Sequence, residues 1–136
     1  AVLDDPNLAG VIICPSNPFV SIDPLLAVPG FTDALRATEV PIVAVSPIVG
    51  GEAIKGPTAK MMHELSVPAS AGAVAQHYGD LLDGFIIDQK DSELVASIET
   101  LDIETIVTQT VMVTLTDRID LARTAIEFLR SLRHGE

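Results

Sequence analysis

Three β-branched residues, Val11-Ile12-Ile13, run without a polar break into Cys14-Pro15-Ser16-Asn17-Pro18, and that abrupt change constrains the fold more than any other stretch. A continuous apolar run of this kind reads as a strand buried on both faces. The residues that stop it are loop formers. Proline lacks a backbone donor, while serine and asparagine side chains bring donors and acceptors of their own. Open α/β sheets bind ligands where a buried strand delivers the chain to such a turn at its carboxyl end.

The same switch recurs. Pro41 to Ser46 is a second short, buried strand, ending on the turn Pro47-Ile48-Val49-Gly50-Gly51. Gly84 to Asp88 is a third, ending on a carboxylate, and Thr105 to Thr108 is a fourth. Helices fill the intervals. Asp23-Pro24 reads as a helix start, with Asp as N-cap and Pro at the first helical position. Phe31 to Thr38, Thr58 to Leu65 and Ser70 or Ala71 to Tyr78 follow, and then a helix capped by Asp91 or Ser92. A last helix is capped by Thr116 or Asp117, with Ile119, Ala122, Ile126, Leu129 and Leu132 as its apolar side. Strands alternating with helices require crossovers and hence a parallel sheet. The expectation is a three-layer, Rossmann-like α/β sandwich with a mostly parallel sheet of at least four strands, forming one domain over residues 1–136.

Composition narrows the partners. The net charge of −11, from 19 acidic and 8 basic side chains, argues against nucleic acid, whose phosphates are met by Lys and Arg. No apolar run approaches the ~20 residues of a membrane span. The single cysteine, Cys14, reads as a small core residue and suits a reducing cytoplasm. His63, His77 and His134 share no metal-ligand spacing and read as structural or surface residues. Asp80 and Asp83 fall one helical turn apart, but nothing in the sequence places them in a cleft.

In a parallel sheet every strand points its carboxyl end to one rim. That rim collects Ser16, Asn17, Ser46, Gly50, Gly51, Asp88, Thr108 and Thr110, with Lys55 and Lys60 nearby as positive charge for an oxyanion. Such a set suits a phosphate-bearing nucleotide, although neither standard glycine-rich phosphate fingerprint is present. For Gly50-Gly51 the competing reading is a plain turn, and for Ser16-Asn17 a helix cap or Asx-turn.

The wording of the sequence adds more than its spacing. The runs C-P-S-N-P-F-V-S-I-D-P-L-L, V-A-V-S-P-I-V-G-G-E-A-I-K-G-P-T-A-K-M-M and H-Y-G-D-L-L-D-G-F-I-I-D closely resemble the 2-phospho-L-lactate transferase family. The closing T-x-T-x-M and D-R-x-x-L-A-R agree with it. The resemblance implies a transferase of coenzyme F420 biosynthesis. Such an enzyme moves a phospholactyl or phosphoenolpyruvyl group from a guanosine diphosphate conjugate to the deazaflavin Fo, releasing GMP and requiring magnesium. It further implies that Ser16 and Asn17 contact nucleotide or Fo, that Ser46, Pro47, Gly50 and Gly51 form the adjacent wall, and that Lys55, Gly56 and Thr58 neighbour the diphosphate.

Family members are roughly twice this length, and the match falls on their carboxyl-terminal half. The glycine-rich loop and the metal-binding aspartates belong to the amino-terminal half, so magnesium ligands are expected there and none in this chain. Catalysis is accordingly expected of the full-length protein rather than of this piece alone. Two other readings stay open: a nucleotide- or nucleotide-sugar-binding regulatory module without transferase activity, and an assembly fragment. A mean hydropathy of +0.41 implies exposed apolar surface, and so a homo-oligomer or contact with the amino-terminal half.

Overall fold

The computed structural model describes residues 2–53 and 57–134, the side chain of His134 excepted. Lys55 and Gly56, both expected near a diphosphate, and the His134 side chain lie outside the described residues. Four strands form the main sheet: β1 (Val11–Ile13), β2 (Ile42–Val45), β5 (Gly84–Asp88) and β6 (Glu104–Thr108). They lie in the order β1-β2-β5-β6 and every pairing is parallel. Between β2 and β5 lies a two-stranded hairpin, β3 (Ile48–Val49) and β4 (Glu52–Ala53). Its turn is Gly50-Gly51, with φ of 59° and 84°. Both central residues of such a tight turn must adopt positive φ, which glycine does without Cβ strain.

Helices cover both faces, which makes the fold an α/β, Rossmann-like sandwich. A π-turn at Pro18–Ile22 runs directly into α1 (Asp23–Leu26), and α2 (Phe31–Ala37) completes the link to β2. α3 (Thr58–Glu64) and α4 (Ala71–Tyr78) link β2 to β5, and a 3-10 turn with α5 (Val95–Glu99) links β5 to β6. All three connections pack on the face that carries Ile13, Ile42, Ala44, Phe85 and Ile87. The opposite face carries Val43, Val45 and Ile86, and the long α6 (Leu115–His134) closes it with Leu121, Ala125, Phe128 and Leu129. α6 sits tightly on β5: a Cβ at Gly84 would come within 2.6 Å of the Phe128 ring. Glycine there sets how closely helix and sheet approach.

Several expectations are corrected. The β1 strand is not buried on both faces, because it is the sheet edge and α6 lies over β2 and β5 instead. Ile12 is therefore 36% exposed. Cys14, just past the strand end, is exposed rather than a core residue. The helical segment after β1 begins at Asn17, whose side chain accepts from Phe19 N and Val20 N; Asp23 lies inside it and meets His77 Nε2 at 2.7 Å. Asp91 does not cap α5; Asp88 caps the preceding 3-10 turn through Lys90 N. The last helix starts earlier than Thr116. Thr114 Oγ1 accepts from Asp117 N while Asp117 accepts from Thr114 N, a reciprocal capping box. Its buried stripe is Leu121, Ala125, Phe128 and Leu129, leaving Ile119 and Ile126 at 46% and 44% exposure. Asp83 ties the start of β5 to Ile42 N at 2.8 Å, and Asp80 pairs with Arg36, so both serve the scaffold. Among the described residues no helix is long and apolar enough to cross a membrane.

Candidate functional site

At the carboxyl rim of the sheet the chain opens a cleft of about 640 Å³. The turn after β1 supplies one wall through Pro15, Ser16, Asn17, Val20 and Ser21. Pro47, directly after β2, and Pro57 with Thr58, at the start of α3, supply a second. Thr110 and Met112 after β6, with Arg118 in the first turn of α6, close the third. Five of the residues singled out from the sequence, Ser16, Asn17, Pro47, Thr58 and Thr110, thus line one space. The walls are part apolar and part polar, the composition typical of pockets that hold a ring system and orient its substituents.

Ser46, Gly50 and Gly51 do not line this cleft. Ser46 is fully buried; its hydroxyl accepts from Ile48 N and donates to Ile48 O, both at 3.1 Å, and so shapes the entry to the hairpin. Gly50 N donates to both carboxylate oxygens of Asp91, at 3.2 and 3.1 Å. Asn17 does line the cleft, but its Oδ1 is committed to Phe19 N and Val20 N, and its Nδ2 lies 3.3 Å from Met61 Sδ. Its helix-capping role is therefore realised, and the remaining amide N–H is what it has to offer a ligand. The cap opens a π-turn, in which Ile22 N reaches back to Asn17 O at 3.3 Å.

Two aspartates after β5 brace the walls. Asp88 accepts from Thr110 N at 2.8 Å, Thr110 Oγ1 at 3.2 Å and Lys90 N at 3.0 Å. Burial pushes the Asp88 carboxyl up, but the Thr110 and Lys90 hydrogen bonds together with the Lys90 charge outweigh it and leave it below the usual carboxylate range. Asp91 is displaced the other way. Burial raises it, Gly50 N opposes this, and the neighbouring charges of Glu93 and Asp88 raise it further. Asp88 therefore holds the Thr110 wall, and Asp91 holds the hairpin that lies between Pro47 and Pro57.

A larger groove of about 860 Å³ opens at the other end of the strands. It borders Asp4, Asp5, Glu39 and Asp83, with Arg133 beside them. Its position at the amino ends of the strands and its carboxylate lining suit it poorly to an anionic ligand. The smaller cleft at the carboxyl rim is the candidate site.

Thr110 is expected at this rim, whereas Met112 and Arg118 are missed as site residues. The signal was in the sequence, since T-x-T-x-M spans Thr108 to Met112 and D-R-x-x-L-A-R begins at Asp117. Only the fold brings them against the turn after β1. Among the described residues no group of three His, Cys, Asp or Glu side chains is arranged to hold a metal ion. The cleft in particular has no carboxylate among its described lining residues, so its donor set does not fit magnesium.

Fold and cleft together define a Rossmann-like α/β protein with its candidate site at the carboxyl rim of a parallel sheet. Residues 4–125 match the family described as 2-phospho-L-lactate transferase CofD, and the chain belongs to that family. It is 39% identical over 126 residues to a phosphoenolpyruvate transferase of Kitasatospora aureofaciens, covering 92% of this chain and 39% of the relative. It is 40% identical over 122 residues to a 2-phospho-L-lactate transferase of Methanocaldococcus jannaschii, covering 90% and 38% respectively. For the 2-phospho-L-lactate transferase of Methanothermobacter thermautotrophicus the identity is 44% over 113 residues, covering 83% and 36%. The chain therefore spans about two fifths of the length of these relatives, less than the half expected.

Proposed function

We propose that this chain forms part of a transferase of coenzyme F420 biosynthesis. In this reading the protein moves a phospholactyl or phosphoenolpyruvyl group from a guanosine diphosphate conjugate to the deazaflavin Fo, and the rim cleft receives one of these two molecules. The observation that carries the reading is the convergence of Ser16, Asn17, Pro47 and Thr58 on one cleft, in a chain whose relatives are named as transferases of both kinds. Those names favour a transferase over a regulatory module.

In such a transfer a hydroxyl oxygen of Fo bonds to the phosphorus next to the lactyl or enolpyruvyl group. The phosphoanhydride bond breaks, GMP leaves with the electron pair, and the hydroxyl proton is lost. Little covalent work falls to the protein, so positioning and charge stabilisation dominate. The cleft residues supply positioning. Pro15, Val20, Pro47 and Met112 offer apolar surface to a flat ring, while Ser16, Ser21 and Thr58 offer hydroxyls. Magnesium does not fit this cleft, and none of these roles depends on it.

Titration calorimetry of this chain with GDP and, separately, with Fo tests the proposal. Saturable binding of at least one is expected; heat changes indistinguishable from dilution for both would overturn it.

A further inference from the structure

The charge around the rim cleft does not follow the charge of the chain. Acidic side chains outnumber basic ones 19 to 8, yet no carboxylate is found among the described residues that line the cleft. The ionised side chain in that lining is Arg118. The groove at the other end of the strands follows the average instead, with Asp4, Asp5, Glu39 and Asp83 at its wall.

Arg118 is also uncommitted. Arg36, Lys60 and Arg123 are each drawn to a carboxylate, at 2.6, 3.9 and 4.0 Å. Arg118 has no ion pair among the described residues. Its sequence neighbour Asp117 is occupied by Val113 N and Thr114 N, each at 3.0 Å. Around the cleft the hydroxyls of Ser16, Ser21 and Thr58 likewise have no hydrogen-bond partner among the described residues. A cleft that excludes carboxylates and gathers one free guanidinium with several free hydroxyls is built to meet an anion. A guanidinium presents parallel N–H donors that match two oxygens of a phosphate, which an ammonium does less well.

We infer that Arg118 binds a phosphate group of the ligand in this cleft, assisted by the hydroxyls of Ser16 and Thr58. The inference rests on the reading that the cleft takes a nucleotide, and it adds the residue that recognises the charged part. α6 thereby joins the site: its first turn carries the recognition group, while Leu121, Ala125 and Phe128 further along fix the helix to the sheet.

The test is titration of the chain with GDP and with guanosine, which lacks the phosphates, using the unaltered protein, Arg118→Gln and Arg118→Lys. Arg118 is exposed, and a matching melting temperature confirms that each variant is folded. The unaltered chain is expected to bind GDP at least tenfold more tightly than guanosine. Arg118→Gln removes that preference, lowering GDP affinity tenfold or more and leaving guanosine unchanged, whereas Arg118→Lys keeps part of it. Unchanged GDP affinity in Arg118→Gln would overturn the inference while leaving the nucleotide reading intact. So would equal affinity of the unaltered chain for GDP and guanosine. Binding of neither by the unaltered chain would overturn the inference together with the nucleotide reading of the cleft, and the titration with Fo then decides the proposed function.

Discussion

The carboxylate of Asp88 accepts both the backbone N–H of Thr110, at 2.8 Å, and its hydroxyl, at 3.2 Å. One side chain at the end of β5 therefore fixes the segment that leaves β6 and lines the cleft. Thr110 is completely buried, so its N–H has no water to turn to if the carboxylate is removed.

Asp88→Ala is expected to destabilise the chain by about 2–4 kcal/mol, since it strands Thr110 N and weakens the turn at Lys90. Urea unfolding should show a lower midpoint at unchanged slope. The acid limb should change too. The folded carboxyl lies below its usual range, so its stabilisation is present above the unfolded-state value and is lost as pH falls through the folded one. The variant should lack that part of the acid dependence.

Asp91 carries the opposite sign. Its folded carboxyl is raised, so the stability linked to it is full at low pH and is lost as pH rises through the raised value. Asp91→Asn keeps an oxygen for Gly50 N and removes the buried charge. Its stability should therefore equal or exceed that of the parent at neutral pH, with a flatter profile above the usual carboxylate range. Asp91→Ala, which leaves Gly50 N without its acceptor, should be less stable than either. Thermal melts across that pH range distinguish the three.

The orientation of α6 can be checked by truncation. Phe128 is 5% exposed against the sheet and Ile126 is 44% exposed. Phe128→Ala should cost about 3–5 kcal/mol, the range for a buried aromatic ring. Ile126→Ala should cost under about 1 kcal/mol, as surface substitutions generally do. Equal costs measured by denaturant unfolding would contradict the packing described.

Asn17 serves the local structure first. Asn17→Ala removes the acceptor for Phe19 N and Val20 N and should lower stability by about 1 kcal/mol, the usual loss for a helix cap. Asn17→Asp keeps that acceptor and should restore the melting temperature, as differential scanning calorimetry would record.

The strands were the most legible part of the sequence. Gly84–Asp88 was bounded to the residue, because a run of apolar side chains between a glycine and a carboxylate has little other way to be buried. The orientation of α6 was not legible. Ile119 and Ile126 compete with Leu121 and Phe128 at helical spacing, and only the sheet decides which set is covered. Cys14 and Ile12 read as core from the apolar run that holds them; that β1 is an edge strand depends on sheet order, which local pattern does not encode. Asp91 was read as a cap because aspartate commonly caps, yet its partner Gly50 lies across the fold. Within the site, Ser16, Asn17 and Thr110 are legible because they follow strands, while Pro47 and Thr58 come only with the family resemblance. Arg118 is not legible, because most of the chain separates it from Asn17.

The order β1-β2-β5-β6 has a consequence for how the molecule assembles. Each main strand docks on the one translated before it, so the sheet can lengthen in step with synthesis and needs no late insertion between strands already paired. The cost falls in the step after β6. Until the twenty residues of α6 have emerged, a nascent chain leaves Val43, Val45 and Ile86 bare to water, and that is an interval in which it is exposed to aggregation.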